Sequence, residues 1–245
     1  MSNFGICLTG FTAIRHEPKS SSEMISSLVF GETYQIISEN DEWLQIKLSY
    51  DGYNGWLSKS NHRSIPDNFE HWKLVVKNKV LLKNITTQEN IWIAAGCMLP
   101  KEGNFIFGKH HFEINTHETE SNLDVSSIAK QFLGTPYLWG GKSIYGIDCS
   151  GFVQMIFKAF NQFLPRDSGA QADAVKTSIA FEDIAKGDLV FFHKNNKINH
   201  VGIALSRDKI IHASGSVHID TLTKEGILSS NNELTHQFFI CKRWG

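Results

Sequence analysis

The sequence changes character at one polar stretch, and this change limits what the chain can fold into. Residues 115–127, NTHETESNLDVSS, are polar and acidic and contain few side chains that could build a core. Before this stretch, short runs alternate apolar and polar residues, whereas after it helix-like and strand-like runs are mixed. We interpret the stretch as a linker between two kinds of fold, ending at a helix N-cap, Asp124 or Ser126.

The N-terminal part predicts small antiparallel β barrels. Runs such as SSLVFGETYQIISEN and EWLQIKLSYDGYNGWLSKSN alternate apolar and polar residues, which is typical of half-buried strands. Turn signals separate these runs, at Asn40-Asp41, Asp51-Gly52 and Asn54-Gly55. Residues 66–118 have the same texture without repeating the first module residue by residue. We therefore expect one β domain over residues 1–65 and a second, degenerate one over residues 66–118.

The C-terminal part, residues 119–245, predicts an α+β domain. VSSIAKQFLG, the stretch after GIDCSG, and SGAQADAVKT predict helices. GDLVFFHK, HVGIALSRD, KIIHASGS and HQFFICKRW then predict strands. A helical half followed by an antiparallel sheet is an α+β arrangement.

Composition excludes several functional classes. A net charge of −1 gives no overall basic field that would attract nucleic acid or anionic lipid. No apolar stretch is long enough to span a membrane, and the start MSNFGICLTGF lacks a signal-peptide pattern, so we expect a cytoplasmic monomer. The four cysteines are scattered without a CxxC pair, which argues against a disulfide framework and a cysteine-based metal site. We expect no metal and no cofactor.

Cys149 lies where GIDCSGFVQMIFKAF turns into a helical apolar pattern. The apolar residues after it fall on one helical face, which places Cys149 at the helix N-terminus. Free backbone N–H groups and the positive end of the helix dipole stabilise a thiolate there. From the local sequence alone, a buried core thiol and a nucleophile are equally good interpretations.

Two histidines favour the nucleophile. His200 opens the predicted strand HVGIAL, and His212 lies in the next strand, KIIHASG. If these strands form a hairpin through SRD, the two histidines fall within about two residues of each other at its far end. Each could be only a polar strand residue. Together with Cys149 they supply a base and an orienting group for a thiol.

The motifs resemble those of the NlpC/P60 cysteine peptidases. GTPYLWGGKSIYGIDCSGFVQMIF, LPRDSGAQA, GDLVFF, NHVGIAL and IIHASG follow in the family's order over roughly residues 120–245. The resemblance implies a papain-like α+β domain with Cys149 as nucleophile, His200 as base and His212 as the third residue. The N-terminal β region resembles bacterial SH3 (SH3b) domains that accompany this catalytic domain in γ-D-glutamyl-L-diamino acid endopeptidases.

That subgroup hydrolyses the bond between γ-D-Glu and the diamino acid of wall peptides with a free N-terminal L-Ala. The resemblance implies that Tyr137, Asp148 and Ser150 bind the amine end, and that Arg166 and Ser168 bind ligand carboxylates. Glu23 and Tyr53 of the first β domain are candidates for closing the amine end of the pocket. A carboxylate suits an ammonium group, and arginine suits a carboxylate.

Structural alternatives stand beside these roles. Asp148 could be only a helix cap, Tyr137 and Trp139 packing aromatics, and Arg166 a solvated surface cation. Glu23 could be an exposed loop carboxylate. At the level of function, the alternatives are an SH3b-type wall-peptide binding protein and a papain-like amidase of different substrate. The predicted partner is a short murein peptide in wall recycling, with no nucleic acid and no membrane.

Overall fold

We describe the structure, a computed structural model, for residues 3–66, 69, 72–101, 103–115 and 123–244. Of the predicted linker 115–127, residues 116–122 lie outside the described residues. Asp124 is the N-cap of the helix that follows, because its side chain accepts a hydrogen bond from the Ser127 amide.

A six-stranded antiparallel sheet forms the N-terminal part. Its spatial order is β1-β4-β5-β6-β2-β3. The strands are β1 (Phe4–Ile6), β2 (Thr12–Arg15), β3 (Met24–Leu28), β4 (Thr33–Glu39), β5 (Trp43–Leu48) and β6 (Asn54–Ser58). Alternation of buried and exposed residues follows the sequence pattern, as in β5, because one face packs on a core that includes Ile14, Tyr34 and Ile46.

A second β region follows. It consists of a two-stranded sheet, β10-β7, and a four-stranded sheet of order β11-β12-β8-β9. The strands are β7 (Leu74–Val75), β8 (Val80–Asn84), β9 (Glu89–Ile93), β10 (Met98–Leu99), β11 (Phe105–Phe107) and β12 (His110–Asn115). An aromatic core that includes Phe30, Trp72, Phe105 and Phe112 joins this region to the first sheet.

Within its described residues, the C-terminal part combines three α-helices with a large antiparallel sheet of order β15-β21-β16-β17-β18-β19-β20. Since β20 also pairs with β21, the sheet closes on itself. The elements are α1 (Val125–Lys130), β13 (Lys142–Ser143), β14 (Gly146–Ile147), α2 (Cys149–Lys158), α3 (Ser168–Ala174), β15 (Thr177–Ile179), β16 (Leu189–Lys194), β17 (Lys197–Ser206), β18 (Lys209–Ser214), β19 (Ser216–Leu222), β20 (Gly226–Leu228) and β21 (Leu234–Arg243).

Helix α2 is buried along its whole length. Its apolar face packs on the sheet, with Phe152, Val153 and Ile156 in one core with Val201 and Ile203 of β17. Burying one such side chain contributes about 1.5–3 kcal/mol, so the sequence pattern that predicts the helix also fixes its position against the sheet.

A buried cluster of charged side chains joins the first β domain to α2. Glu32 accepts hydrogen bonds from Lys142 at 3.0 Å and from Lys158 at 2.7 Å, and all three side chains are at most 3% exposed. Burial raises the pKa of Glu32, but the charges of Lys142 and Lys158 outweigh this and lower the pKa to about 2. The carboxylate is therefore ionised, and its loss would leave two buried ammonium groups without their partner.

Among the described residues, none of the helices is long and apolar enough to cross a membrane.

Candidate active site

Cys149 is the first residue of α2, as the sequence predicts. Asp148 is the N-cap, in an extended conformation, and its Oδ1 accepts a hydrogen bond from the Gly151 amide at 2.7 Å. The cysteine is 6% exposed. The cysteine shares one core with Val201, the residue after His200. The helix start is thus fixed by its cap, and the thiol lies against the strand that carries His200.

Arg166 is turned into the protein, which corrects two interpretations from the sequence. It is 3% exposed, so it is not a surface cation. Its Nη1 donates to Asp148 Oδ1 at 3.0 Å and to Ser150 Oγ at 2.9 Å, and its Nε donates to Ser26 Oγ at 3.2 Å. A buried guanidinium needs a paired carboxylate, and Asp148 supplies it. The expected binding of a ligand carboxylate by Arg166 is therefore replaced by an internal ion pair.

Asp148 caps the helix, as predicted, and its carboxylate also accepts hydrogen bonds from outside the helix. Besides the Gly151 and Arg166 bonds, its Oδ2 accepts from the Gly140 amide at 2.8 Å. Gly140 has φ +77°, and a Cβ there would lie 2.7 Å from the Met24 carbonyl oxygen. The loop before Cys149 thus packs directly against the first β domain, with Asp148 at the junction.

The two predicted histidines meet on the sheet. The turn of the β17–β18 hairpin lies at residues 207–208, and His212 is opposite Gly202, two residues from His200. The structure corrects one detail, because β17 begins at Lys197 and His200 is its fourth residue. A Cβ at Gly202 would lie 2.9 Å from His212 Cβ, so glycine there makes room for the second imidazole.

Hydrogen bonds connect these histidines into a chain that ends on a carboxylate. His200 Nε2 lies 2.9 Å from His212 Nδ1, and His212 Nε2 lies 3.2 Å from Asp220 Oδ2. His200 is 4% exposed and His212 is 1% exposed. Asp220 lies on β19, one strand beyond His212.

The hydrogen-bond partners determine the tautomers of His200 and His212. The Asp220 carboxylate only accepts, and its pKa is lowered by the hydrogen bond from His212, so His212 Nε2 carries the proton. His212 Nδ1 is then an acceptor, and His200 donates to it from Nε2. His200 is therefore left with an unprotonated Nδ1, the atom that a base needs.

Burial sets the protonation of the cysteine and of the histidine. Burial and the adjacent Asp148 carboxylate raise the pKa of the Cys149 thiol to about 12. Burial and the neighbouring imidazoles of His236 and His212 hold the pKa of His200 well below its usual range. Burial and Asp148 thus act against the thiolate that the helix N-terminus is expected to stabilise. The pair is a neutral thiol and a neutral imidazole.

His236 covers the base from the other side. Its ring stacks on His200 with the centroids 4.0 Å apart and the planes 25° apart. Burial and the nearby His212 lower the pKa of His236 to about 4, so this ring is neutral near pH 7. Stacking of this ring on His200 limits the motion of the base.

The remaining predicted site residues differ in their distance from this centre. Tyr137 is half-buried beside Cys149 and Asp148, and burial together with these two groups raises its pKa to about 12. Its ring also packs on the core, which agrees with the packing interpretation, and binding of the substrate by Tyr137 stays a prediction. Ser168 begins α3 and is half-buried.

The first β domain reaches the loop before Cys149. Trp139 Nε1 donates to Glu23 Oε1 at 2.8 Å, and Glu23 is exposed. Tyr53 Oη donates to Asp167 Oδ2 at 3.5 Å, next to Arg166 in sequence. Both predicted residues of this domain thus contact the C-terminal part beside the Asp148–Arg166 pair.

Three residues of the site, Asp220, His218 and His236, were not predicted from the sequence. The first two lie two residues apart on β19, which pairs with β18 so that His212 is opposite His218. Extending the hairpin count through Gly215 into SVHID would have placed both on the face of His212, because alternate strand residues share a face. His236 comes from β21 at the other end of the sheet, and no local pattern predicts that the sheet closes.

Comparison with known proteins shows which family models and which relatives match this chain. Residues 134–235 match the NlpC/P60 family, and residues 14–61 match the bacterial dipeptidyl-peptidase Sh3 domain. The chain is 30% identical to gamma-D-glutamyl-L-lysine dipeptidyl-peptidase of Bacillus subtilis (strain 168), over 81% of this chain and 76% of the relative. It is 27% identical to dipeptidyl-peptidase 6 of Lysinibacillus sphaericus, over 85% of this chain and 88% of the relative.

Solved structures show the same fold. A crystal structure of an NlpC/P60 family protein from Bacillus cereus ATCC 10987 superposes with a TM-score of 0.77, over 98% of this chain and 99% of that chain, at 17% identity. An NlpC/P60 endopeptidase from Photobacterium damselae subsp. piscicida superposes with a TM-score of 0.62, at 20% identity, over 98% of this chain and 66% of that chain. A mostly β chain with an N-terminal SH3-like domain is thus the expected architecture for these motifs.

Proposed function

The chain belongs to the NlpC/P60 family, and from that premise we propose that it is a cysteine endopeptidase acting on short cell-wall peptides. The bond cleaved joins γ-D-Glu to the diamino acid of a peptide with a free N-terminal L-Ala. The observation that carries this proposal is the hydrogen-bonded chain from His200 through His212 to Asp220, on the sheet against which Cys149 and α2 pack. The names of the relatives support the choice of bond.

The mechanism is acyl transfer on a papain-like pairing of a helix cysteine with a sheet histidine. Because thiol and imidazole are both neutral at rest, the Cys149 proton moves to His200 Nδ1 as the sulfur attacks the γ-carbonyl carbon of D-Glu. Backbone N–H groups at the start of α2 stabilise the oxyanion. His200 returns the proton to the leaving amine as the C–N bond breaks. A water molecule, deprotonated by His200, then hydrolyses the thioester and releases the thiol.

The amine end of the substrate is assigned to the junction between the domains. Asp148 is already paired with Arg166, so its charge is largely used within the protein. Glu23 is exposed and is held toward this loop by Trp139. We assign the ammonium group mainly to Glu23, with Asp148, Ser150, Tyr137 and Tyr53 shaping the pocket around it. In this arrangement, Arg166 and Ser168 support the pocket wall.

A pocket closed at this end would exclude intact wall and admit trimmed peptides. The first β domain contributes the closing side, through Glu23 and Tyr53. We propose peptide recycling in the cytoplasm as the setting, because a closed site suits short fragments.

Blocking the substrate amine tests the proposed function. We expect release of free diamino acid from L-Ala-γ-D-Glu-diaminopimelate or its Lys analogue, and loss of about tenfold or more in kcat/KM when the L-Ala amine is acetylated, because one charge-assisted contact is lost. The measurement is a time course of defined peptides followed by mass spectrometry. Equal cleavage of free and acetylated peptides would contradict amine recognition.

Asp220 should act through His212 rather than on the substrate. We expect Asp220→Ala to lower kcat by about 10- to 100-fold with KM nearly unchanged, because His212 loses the acceptor that fixes its tautomer. Asp220→Asn should recover part of the rate, since its amide oxygen can accept the same proton. Steady-state kinetics of both variants measure this split. A change in KM alone would contradict a role in orienting the base.

A further inference from the structure

A group of metal-binding side chains lies at the outer end of the histidine chain. His212 Nε2 and His218 Nε2 lie 3.2 and 3.0 Å from the same oxygen, Asp220 Oδ2. Ligand atoms of all three residues lie within 4.8 Å of one another. The His212 side chain is 1% exposed, whereas that of His218 is 38% exposed, so the group is anchored in the sheet and open to solvent on one side.

The strand pairing fixes this geometry. His212 on β18 is directly opposite His218 on β19, and Asp220 follows two residues later on the same face. Three donors on two paired strands need no loop to hold them together. The arrangement is therefore a rigid one, as an ion site requires.

The hydrogen bonds of His218 point to a cation between it and Asp220. His218 Nδ1 lies 2.8 Å from the Ser216 carbonyl oxygen, which only accepts, so Nδ1 carries a proton. In the neutral ring, Nε2 then carries a lone pair and no proton. This nitrogen lies 3.0 Å from the Asp220 carboxylate oxygen. Two acceptors at this distance require a proton or a metal ion between them. A backbone carbonyl on the other ring nitrogen is also the usual support of a metal-bound histidine.

We propose that His212, His218 and Asp220 bind Zn²⁺ and that the bound ion switches the active site off. Two imidazoles and one carboxylate are a ligand set that Zn²⁺ accepts, with an open fourth position for water. With bonds of about 2.0–2.1 Å, tetrahedral ligands lie about 3.3 Å apart. The observed separations of 3.2 and 3.0 Å from Asp220 Oδ2 to the two nitrogens are close to this value. The cysteine count could not reveal this site, because it contains no cysteine.

Metal binding would reverse the direction of hydrogen-bond donation between His200 and His212. Zn²⁺ takes the lone pair of His212 Nε2, so the proton of that ring moves to Nδ1. His212 then donates to His200 Nε2, and the proton of His200 moves to its Nδ1, the atom that must accept the proton of Cys149. The base is thus occupied while the metal is bound. This inhibitory consequence rests on the proposed function, whereas metal binding itself does not.

Binding is tested first, in a protein that lacks the reactive thiol. We expect Cys149→Ala to bind one equivalent of Zn²⁺ in competition with a chromophoric chelator, and the additional change His218→Gln to weaken this binding at least about tenfold. Gln keeps a hydrogen bond to Asp220 but provides no imidazole nitrogen. The control is His111→Gln on the four-stranded sheet, where the exposed ring is lost without touching the site. Equal affinity of the two double variants would overturn the proposal.

Two further readouts separate the site from other modes of inhibition. In the wild-type protein, Zn²⁺ should inhibit peptide hydrolysis and a chelator should restore it. His218→Gln, measured against its own rate without the metal, should need at least about tenfold more Zn²⁺ for the same fractional inhibition. Inhibition of His218→Gln at the wild-type concentration would mean that the ion acts directly on Cys149 and would overturn the proposal.

Nitrogen NMR of the histidine rings reports the switch independently of peptidase activity. Added Zn²⁺ should move the proton of His212 from Nε2 to Nδ1 in Cys149→Ala and leave the ring unchanged in Cys149→Ala with His218→Gln. An unchanged His212 tautomer in a protein that binds the ion would overturn the switch. Failure of the proposed function would instead appear as absence of peptide hydrolysis with the binding and NMR results intact.

Discussion

Cys149→Ala is expected to abolish release of the diamino acid, with a loss of about 10⁴-fold or more in kcat. In the proposed mechanism the sulfur forms the bond to the γ-carbonyl carbon, and no other group at the site can replace it. In the proposed arrangement, other residues of the junction hold the peptide, so the variant should still bind it. Peptide hydrolysis and calorimetric titration of the same preparation measure the two effects separately.

A second buried cysteine provides the matched control. Cys7 is 3% exposed, and its sulfur lies 3.4 Å from Thr9 Oγ1 and 3.6 Å from Thr12 Oγ1. A serine hydroxyl can make the same contacts, so Cys7→Ser should retain activity. Hydrolysis by Cys149→Ala at a rate near that of Cys7→Ser would rule out a thiol mechanism.

Glu32→Ala is expected to lower the free energy of unfolding by about 3–5 kcal/mol. Removing the carboxylate leaves Lys142 and Lys158 buried without the charge that compensates them. Because the cluster joins the first β domain to α2, the variant should also loosen the contact between them. Urea denaturation followed by fluorescence and by circular dichroism measures the loss.

The pH dependence of stability provides a second test of the cluster. The pKa of Glu32 in the folded protein is lowered to about 2 from a usual value of 4.5. Its contribution is therefore complete above the unfolded-state value and is lost as the pH falls toward the folded-state value. Wild-type protein should lose stability between about pH 5 and pH 2 more steeply than Glu32→Ala.

An exposed ion pair serves as the control for this variant. Glu39 pairs with Lys59 at 2.8 Å, and its side chain is 64% exposed. Surface pairs of this kind contribute little, so Glu39→Ala should unfold at nearly the wild-type urea concentration. Equal losses in Glu39→Ala and Glu32→Ala would contradict a special role for the buried cluster.

Local sequence patterns were sufficient to predict the helix that carries Cys149 and the two strands that carry His200 and His212. The apolar spacing after Cys149 predicts α2 and its start, and the two strands around SRD predict that His200 and His212 meet. Each of these predictions rests on one periodicity and one turn, which the sequence shows directly. The Asp148 cap is likewise visible, because an acidic residue precedes the apolar run.

The rest of the site depends on contacts between distant segments. Arg166 is buried because Asp148 and Ser26 meet it there, and these partners are 18 and 140 residues away in the sequence. The raised pKa of Cys149 follows from burial, which the helix pattern alone does not report. Asp220 can be predicted only when the strand register is extended from β18 to β19. The predicted domain boundaries at residues 65 and 118 stay predictions.

The central claim is that Cys149 forms a thioester with the γ-glutamyl group while His200 carries the proton, and a competing nucleophile tests it most directly. Hydrolysis of L-Ala-γ-D-Glu-diaminopimelate is followed by mass spectrometry in increasing hydroxylamine. Water and hydroxylamine compete for a thioester, so the yield of L-Ala-γ-D-Glu hydroxamate should rise with the hydroxylamine concentration. No hydroxamate should form with Cys149→Ala. Formation of the free acid alone at every hydroxylamine concentration would contradict a covalent intermediate on this cysteine.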